Sequence, residues 1–322
     1  MRDSEGLRKG FVLTLLICAV LVRFLLSWRV SGTQTSEQNA VDLRPRVTEP
    51  AQPAAELLPE EPEAPTEIRL PTDDWAAPEF TPEDAAGITV GGVCSYSVSV
   101  SDALQTDWLG EGRSVLILHT HGTEAYTPSP GWGYEGSSSL RSEDPDYSVV
   151  RVGRALKEAL EAQGVTVYHD ETMYDRASFN GAYAASGAGV RAMLEAHPDV
   201  GLVIDLHRDA ALNPDGSDFA ATLRTNGTEY ARLMLVVGTD QGGLDHPNWR
   251  QNLGCAAQLQ ALTNRRLPGL FRDLDLRTER FNQHLSPGFI LIEVGAAGNT
   301  MPQALASMPV LADAIAALLG RQ

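Results

Sequence analysis

A chain of 322 residues with 43% hydrophobic and 21% charged side chains is long enough, and apolar enough, to bury a sizeable core. Its 42 acidic and 25 basic residues leave a formal charge of −17, which argues against a nucleic-acid partner, because phosphate binding needs a basic surface. Three cysteines (Cys18, Cys94 and Cys255) are too few for a disulfide framework and lack zinc-finger spacing. Cys94 and Cys255 read as small core residues, with a bond between them left open.

Residues 1–30 read as a membrane anchor with a short cytoplasmic tail. The run GFVLTLLICAVLVRFLLSW (10–28) has the roughly 20 apolar residues that a bilayer crossing needs. Arg8 and Lys9 precede it, and positive flanks stay cytoplasmic, so the rest of the chain is expected outside the cell membrane. Arg23 lies near the distal end, where it can snorkel to the interface. The run exceeds a signal-peptide core and no A-x-A-like site follows, so it is read as uncleaved and single-pass. Residues 31–87 are crowded with Pro and Glu and carry almost no apolar periodicity. Such a stretch buries too little surface to offset its ordering entropy, and is read as an acidic, disordered linker.

Residues 88–322 read as the globular domain. ITVGGVCSYSV suggests an edge strand and SVLILH (114–119) a buried one. YSVVRVGRALKEALEAQG (147–164) puts Val149, Val152, Leu156 and Leu160 on one helical face and stops at Gly164. VTVYHD (165–170) is a strand, 181–196 a helix, and VGLVIDLH (200–207) another strand. One strand is expected within 228–239, a helix over 248–264, a strand at FILIEVG (289–295) and a last helix over 302–319. Solid aliphatic strands alternating with helices predict an α/β fold, a mostly parallel sheet covered by helices on both faces.

In such sheets ligands collect at the carboxyl ends of the strands. His119 and His121 end one strand, His207 ends another, and Glu293 lies near the end of a third. Metal-assisted hydrolysis needs imidazoles and a carboxylate to hold a divalent ion, and a further carboxylate to move protons. An ionisable group in an apolar strand is costly unless paired or used, so Glu293 is the candidate general base. His119 reads as a group that orients the loop or bonds behind the site. Asp205 and Asp209 either hold the His207 ring or cap the next turn. Arg208 suits a substrate carboxylate or a surface ion pair. Asn282 and Gln283 line the groove or make a turn. His169, His197 and His246 read as surface or loop residues, with His284 a lesser site candidate. The polar, aromatic segment 122–144 is either a lip presenting Tyr126, Trp132 and Tyr134 to substrate or an ordered surface loop.

The segments HTHGTEAYTP, DYSVVRVGRALKEAL, NGAYAASGAGVRAML, VIDLHRDA and RFNQHLSPGFILIEVGAAGNT, in this order over residues 113–318, resemble the stage II sporulation protein P family. These are membrane-anchored cell-wall hydrolases related to zinc-dependent N-acetylmuramoyl-L-alanine amidases. The resemblance implies an amidase-like fold, bound Zn2+, and peptidoglycan as substrate in the engulfing septum, with an accompanying endopeptidase activity on cross-links. It implies stage II sporulation proteins D and M as partners. It also implies His121 and His207 as metal ligands and Glu293 as the catalytic residue. The third ligand falls on a carboxylate before the first helix: Asp144 is preferred, Glu143 comes next, Asp146 is in the same segment, and Glu124 is an outside candidate. A catalytically silent wall-binding module and a zinc peptidase acting mainly on cross-links are the competing readings.

Overall fold

In a computed structural model the described residues are 78–135 and 140–320. The expected anchor (1–30) and most of the expected linker lie outside them. The linker's end is corrected by what is described. Thr81 caps a short helix, α1 (Pro82–Ala86), through a reciprocal capping box with Asp84. Arg265 grips the Asp84 carboxylate at 2.8 and 2.5 Å and holds its pKa down to about 2. A cap and an ion pair thus fix this turn, with Phe80 and Ala85 packed against the core.

In chain order there follow β1 (Val90–Gly92), α2 (Val100–Leu104), β2 (Ser114–Leu118), α3 (Val149–Glu161), β3 (Val167–His169), α4 (Ala182–Ala196) and β4 (Val200–Asp209). Then come β5 (Thr222–Thr225), β6 (Thr228–Ala231), β7 (Leu233–Gly238), α5 (Trp249–Arg266), β8 (Leu274–Arg277), β9 (Phe289–Ala296) and α6 (Met301–Leu318). Seven strands form one sheet in the order β1-β8-β7-β9-β4-β2-β3. Every pairing is parallel except that of β7 with β9. The mixed α/β fold with a mostly parallel sheet is therefore present.

The single strand expected within 228–239 is two. Asn226 and Gly227, at φ 51° and 76°, close an antiparallel β5–β6 hairpin, as an Asn-Gly pair does. At Arg232 the chain leaves that hairpin, donating its backbone N–H to Ala221 O at 2.7 Å. Its guanidinium binds the carbonyls of Gly269 and Phe271, and β7 then enters the main sheet. Strand β8 was not anticipated.

The two faces of the sheet are covered unequally. Val115, Ile117, Leu202, Ile204, Leu206, Ile290, Ile292 and Val294 point into a large core with residues of α3, α5 and α6. Leu116, Leu118, Val203 and Phe289 point the other way, into a small cluster closed by Val190 of α4. Helix α6 is long and apolar enough to cross a membrane, but more than half of it is buried in this core. Cys94 and Cys255 are both free thiols, Cys255 buried in α5 and Cys94 half-buried.

Candidate active site

Strands β2, β4 and β9 run parallel, so their carboxyl ends open at one edge of the sheet. Strand alternation then selects the face. Asp205 and His207 share the parity of Val203, and Glu293 that of Phe289, so all three point to the α4 side. His207 and Glu293 are directly paired in the β4–β9 register. Gly295, at φ 66°, bends the chain immediately after. A Cβ there would sit 2.6 Å from Asn299 Oδ1, which explains the glycine of the Glu-Val-Gly sequence.

The loop after β2 brings His121 and Glu124 to the same place. The His121 and His207 rings are 5.5 Å apart, edge to face. His207 Nδ1 lies 3.4 Å from Glu124 Oε2, and its Nε2 lies 2.9 Å from Asp205 Oδ1. Asp205 is fixed in turn by Thr120, which donates from its backbone N–H at 2.8 Å and its hydroxyl at 2.6 Å. His121 Nδ1 faces Asp175 Oδ2 at 3.7 Å. Asp175 accepts from Thr123 Oγ1 at 2.6 Å and Arg141 Nη1 at 2.7 Å. Phe179 stacks on His121 at 4.3 Å, with the Arg141 guanidinium 4.8 Å above the Phe179 ring.

The electrostatics follow from burial and neighbours. Burial opposes the charged form of His207, but Asp205 and Glu124 outweigh it and raise the imidazole pKa well above its usual value. Burial likewise favours protonated Glu124, Asp205 and Asp175, yet imidazole and hydrogen-bond partners hold all three below the usual range. Glu293 differs: burial, reinforced by Glu124 and Asp209, lifts it to about 8 despite His207. Its Oε2 is screened from solvent and has no hydrogen-bond partner. The fold thus stabilises positive charge at His207 and keeps an unbonded, protonatable carboxyl one strand away.

Among the described residues, no group of three or more His, Cys, Asp or Glu side chains forms a finished cation site. The donor chemistry nonetheless suits zinc. Two imidazoles and Glu124 are borderline-soft and hard donors of the kind zinc takes. Asp205 and Asp175 stand behind the imidazoles as orienting carboxylates do. His207 lies between Glu124 and Asp205, and a place that favours a proton between carboxylates also favours a dication.

Of the expected site residues, the structure brings together His121, His207 and Glu293. Asp144 is not with them. It is exposed, and its carboxylate caps the 3-10 turn Pro145–Tyr147 by accepting from the Asp146 N–H at 3.0 Å. Glu143 and Asp146 are ion-paired on the surface, with Arg176 and Arg154. The buried carboxylate beside the histidines is Glu124, because the loop turns back at once: the Glu124 N–H donates to His121 O. Asp144, the preferred third-ligand candidate, thus lies in solvent, and the outside candidate Glu124 is the carboxylate buried beside the histidines.

Other expectations shift too. His119 is wholly buried, its Nδ1 2.9 Å from Leu206 O and its Nε2 2.8 Å from His169 Nε2. His169, expected at the surface, is therefore an internal partner. A Cβ on Gly153 of α3 would lie 2.6 and 2.7 Å from those two rings, so only glycine lets the helix cross there. His246, expected at the surface or in a loop, lies between β7 and α5 outside any element but is buried. Asp209 pairs with Arg272, leaving Asp205 alone to hold His207. Arg208 is buried as well, its Nε and Nη2 donating to the Ala125 and Leu140 carbonyls. Gln283 makes the turn, bonding Gly238 and Val236. Tyr126 is no lip: it is buried and its hydroxyl donates to Val294 O. Tyr134 donates to Tyr126 O. Asp175, Arg141 and Phe179 were not anticipated, because nothing in a polar loop marks which acid folds over a distant histidine.

The model of the stage II sporulation protein P family matches residues 35–316. The stage II sporulation protein P of Bacillus subtilis (strain 168) is 28% identical over 222 residues, covering 63% of this chain and 50% of that protein. The chain thus spans about half the length of the curated relative it matches. Among solved structures, the N-acetylmuramoyl-L-alanine amidase AmiC2 of Nostoc punctiforme is similar at 15% identity and a TM-score of 0.34, over 65% of this chain and 97% of that one. The CwlD amidase from Clostridioides difficile, solved in complex with the GerS lipoprotein, has 13% identity and a TM-score of 0.38, over 64% and 95%. The Ami1 amidase from Mycobacterium smegmatis has 11% identity and a TM-score of 0.38, over 66% and 99%. The family match covers most of the chain and takes in His121, Glu124, His207 and Glu293: the chain belongs to the stage II sporulation protein P family.

Proposed function

We propose that this protein is a membrane-anchored, zinc-dependent peptidoglycan hydrolase, an N-acetylmuramoyl-L-alanine amidase with an accompanying endopeptidase activity, working on the septal wall during engulfment. Family membership supports the cell-wall role. The single observation carrying the chemistry is Glu293, an unbonded carboxyl with its pKa raised to about 8, in register with His207. His121, His207 and Glu124 are the residues that would hold zinc. Bound there, zinc would polarise the scissile carbonyl and acidify a water.

The chain's own groups do the rest. Asp205 fixes the His207 ring from behind and Phe179 stacks on His121, so ring orientation need not be acquired at the moment of reaction. Glu293 takes a proton from the attacking water and returns it to the leaving amine, which its pKa near neutrality permits in both directions. Phe179 and Tyr183 flank His121 and exclude solvent from one side. The apolar run 10–28 supports an anchor that leaves this body outside the cell membrane. Stage II sporulation proteins D and M are proposed partners on the family resemblance.

Glu293→Gln tests the reading. Its release of fragments from purified peptidoglycan should fall by about 10²–10⁴ while bound zinc is unchanged. Undiminished release would remove Glu293 from the reaction. A wild-type protein that binds wall without cutting it would establish the silent module, and mass spectra of fragments showing only cleaved cross-links would establish the peptidase.

A further inference from the structure

A cavity of about 600 Å³ lies beside the candidate active site, with Tyr183, Leu244, Arg280, Phe281 and Asn282 among its walls. Tyr183 belongs to both places. Its ring meets His121 edge to face at 5.6 Å and the Phe281 ring at 5.7 Å. Two such steps match the reach of about three extended residues, so a chain cut next to His121 can extend into the cavity.

The walls are built and held. Phe281 and Asn282 are consecutive non-glycine residues at φ 47° and 60°, a left-handed backbone that persists only where surroundings enforce it. The enforcement is visible: Asn282 Nδ2 donates to Tyr183 O at 2.7 Å and to Ser186 Oγ at 3.2 Å. Leu244 is 57% exposed at the rim and makes the wall apolar there.

The charge in the cavity is unlike that of the chain. Glu279, its acidic wall, is engaged by Arg277 at 3.4 Å. Arg280 donates to a neutral acceptor, Asp245 O, at 2.8 Å, and among the described residues it pairs with no carboxylate. Arg191 nearby likewise donates to Gly187 O. After burial, Arg280 and Arg191 are what lower the pKa of His284, which places both cations around one point. A protein of net charge −17 therefore keeps an unspent cation at an apolar cavity next to its site.

We infer that this cavity is a subsite for an acidic peptide, the peptide arm of the substrate, with Arg280 receiving a free carboxylate two to three residues from the scissile amide and the Tyr183–Phe281–Leu244 wall receiving the aliphatic part. The inference rests on the hydrolase reading above and adds which side of the bond lies where. A guanidinium suits this role because it meets a carboxylate through two parallel N–H bonds.

The test is binding, measured by calorimetry on the full chain carrying Glu293→Gln, so that turnover does not enter. The probes are an N-acetylmuramoyl tripeptide with a free α-carboxylate on its second residue and the same molecule with that carboxylate amidated. The acid should bind about tenfold tighter than the amide, the size of one charge-assisted hydrogen bond. Arg280→Gln should erase that preference. Leu244→Glu, a change at an exposed position that does not threaten folding, should weaken both peptides by removing apolar wall and the acid more than the amide by adding a like charge. Equal affinities for acid and amide in the Arg280-containing chain, a preference that survives Arg280→Gln, or no binding of either peptide would each overturn the subsite. So would a neutral disaccharide that competes for the cavity. Hydrolysis that persists in Glu293→Gln would count against the catalytic reading while leaving the charge preference to be read on its own.

Discussion

The two faces of the central sheet carry different chemistry. Under α3, α5 and α6 the strand residues are aliphatic and tightly covered, from Val115 and Ile117 across to Ile290, Ile292 and Val294. Under α4 the same strands carry Asp205, His207 and Glu293 among a handful of apolar contacts. One helix covers too little to fill that face, so loops finish it, and the loops bring His121, Glu124 and Asp175. Stability is concentrated on one side and chemistry on the other, with a single layer of backbone between them. Asp205 and His207 can be buried as charges on the α4 face because they are paired with each other and with Thr120, whereas the unbonded Glu293 is pushed towards its neutral form. The opposite face supplies the apolar area that offsets the cost.

This division can be broken in graded ways. The largest effect is expected from Glu124→Gln, which should abolish bound zinc and wall hydrolysis, whereas Asp144→Asn should leave both intact. Metal analysis of the two variants decides which carboxylate is the ligand, and a zinc-free Asp144→Asn protein would reverse the assignment. On the other face, Leu156→Ala should cost about 2–5 kcal/mol by opening a cavity in the core. Denaturant unfolding measures that loss, while turnover per folded molecule should stay unchanged. If activity fell with stability, the two faces would not be separable.

A smaller effect is expected behind the ligands. Asp205→Asn should keep the fold and weaken zinc by about 10–100-fold, the usual consequence of losing an orienting carboxylate, as read by competition with a chelator. The smallest is a pH effect at the buried pair His119 and His169. Burial lowers their pKa values to about 4 and about 3. The unfolded chain therefore takes up protons from about pH 6.5 downward, before the folded one does. Stability from these two groups is whole above pH 6.5 and is lost as pH falls towards 3–4. Replacing His169 by Phe should flatten the fall between pH 6.5 and 5 by about 1 kcal/mol, and an unchanged slope would mean the pair is already charged in the fold.

Much of the architecture is legible in local patterns, for local reasons. Solid runs such as SVLIL and FILI mark strands buried on both faces, and the stripe Val149, Val152, Leu156, Leu160 marks a helix with one buried side. Even the site face can be read within a strand, since Asp205 and His207 interrupt an aliphatic run at alternate positions. Short elements escaped because they carry little pattern. Strand β8 has four residues with two charges, and the hairpin of 222–225 with 228–231 is marked only by the Asn226-Gly227 turn between them. Residues 82–86 escaped because their order comes from Arg265, far away in the chain.

What local chemistry determined was therefore which segments are strands and helices, and that imidazoles and an acid end three of those strands. Only the folded chain decided which acid is buried beside them. Asp144 and Glu124 are equivalent as residue types and both precede the same helix, but one is spent on capping a turn in solvent while the other is folded back under Arg208, whose N–H donates to Glu124 Oε2 at 3.1 Å. Burial and partnership are properties of contacts between distant segments, and they are what turn a carboxylate into a ligand, an orienting group or a base.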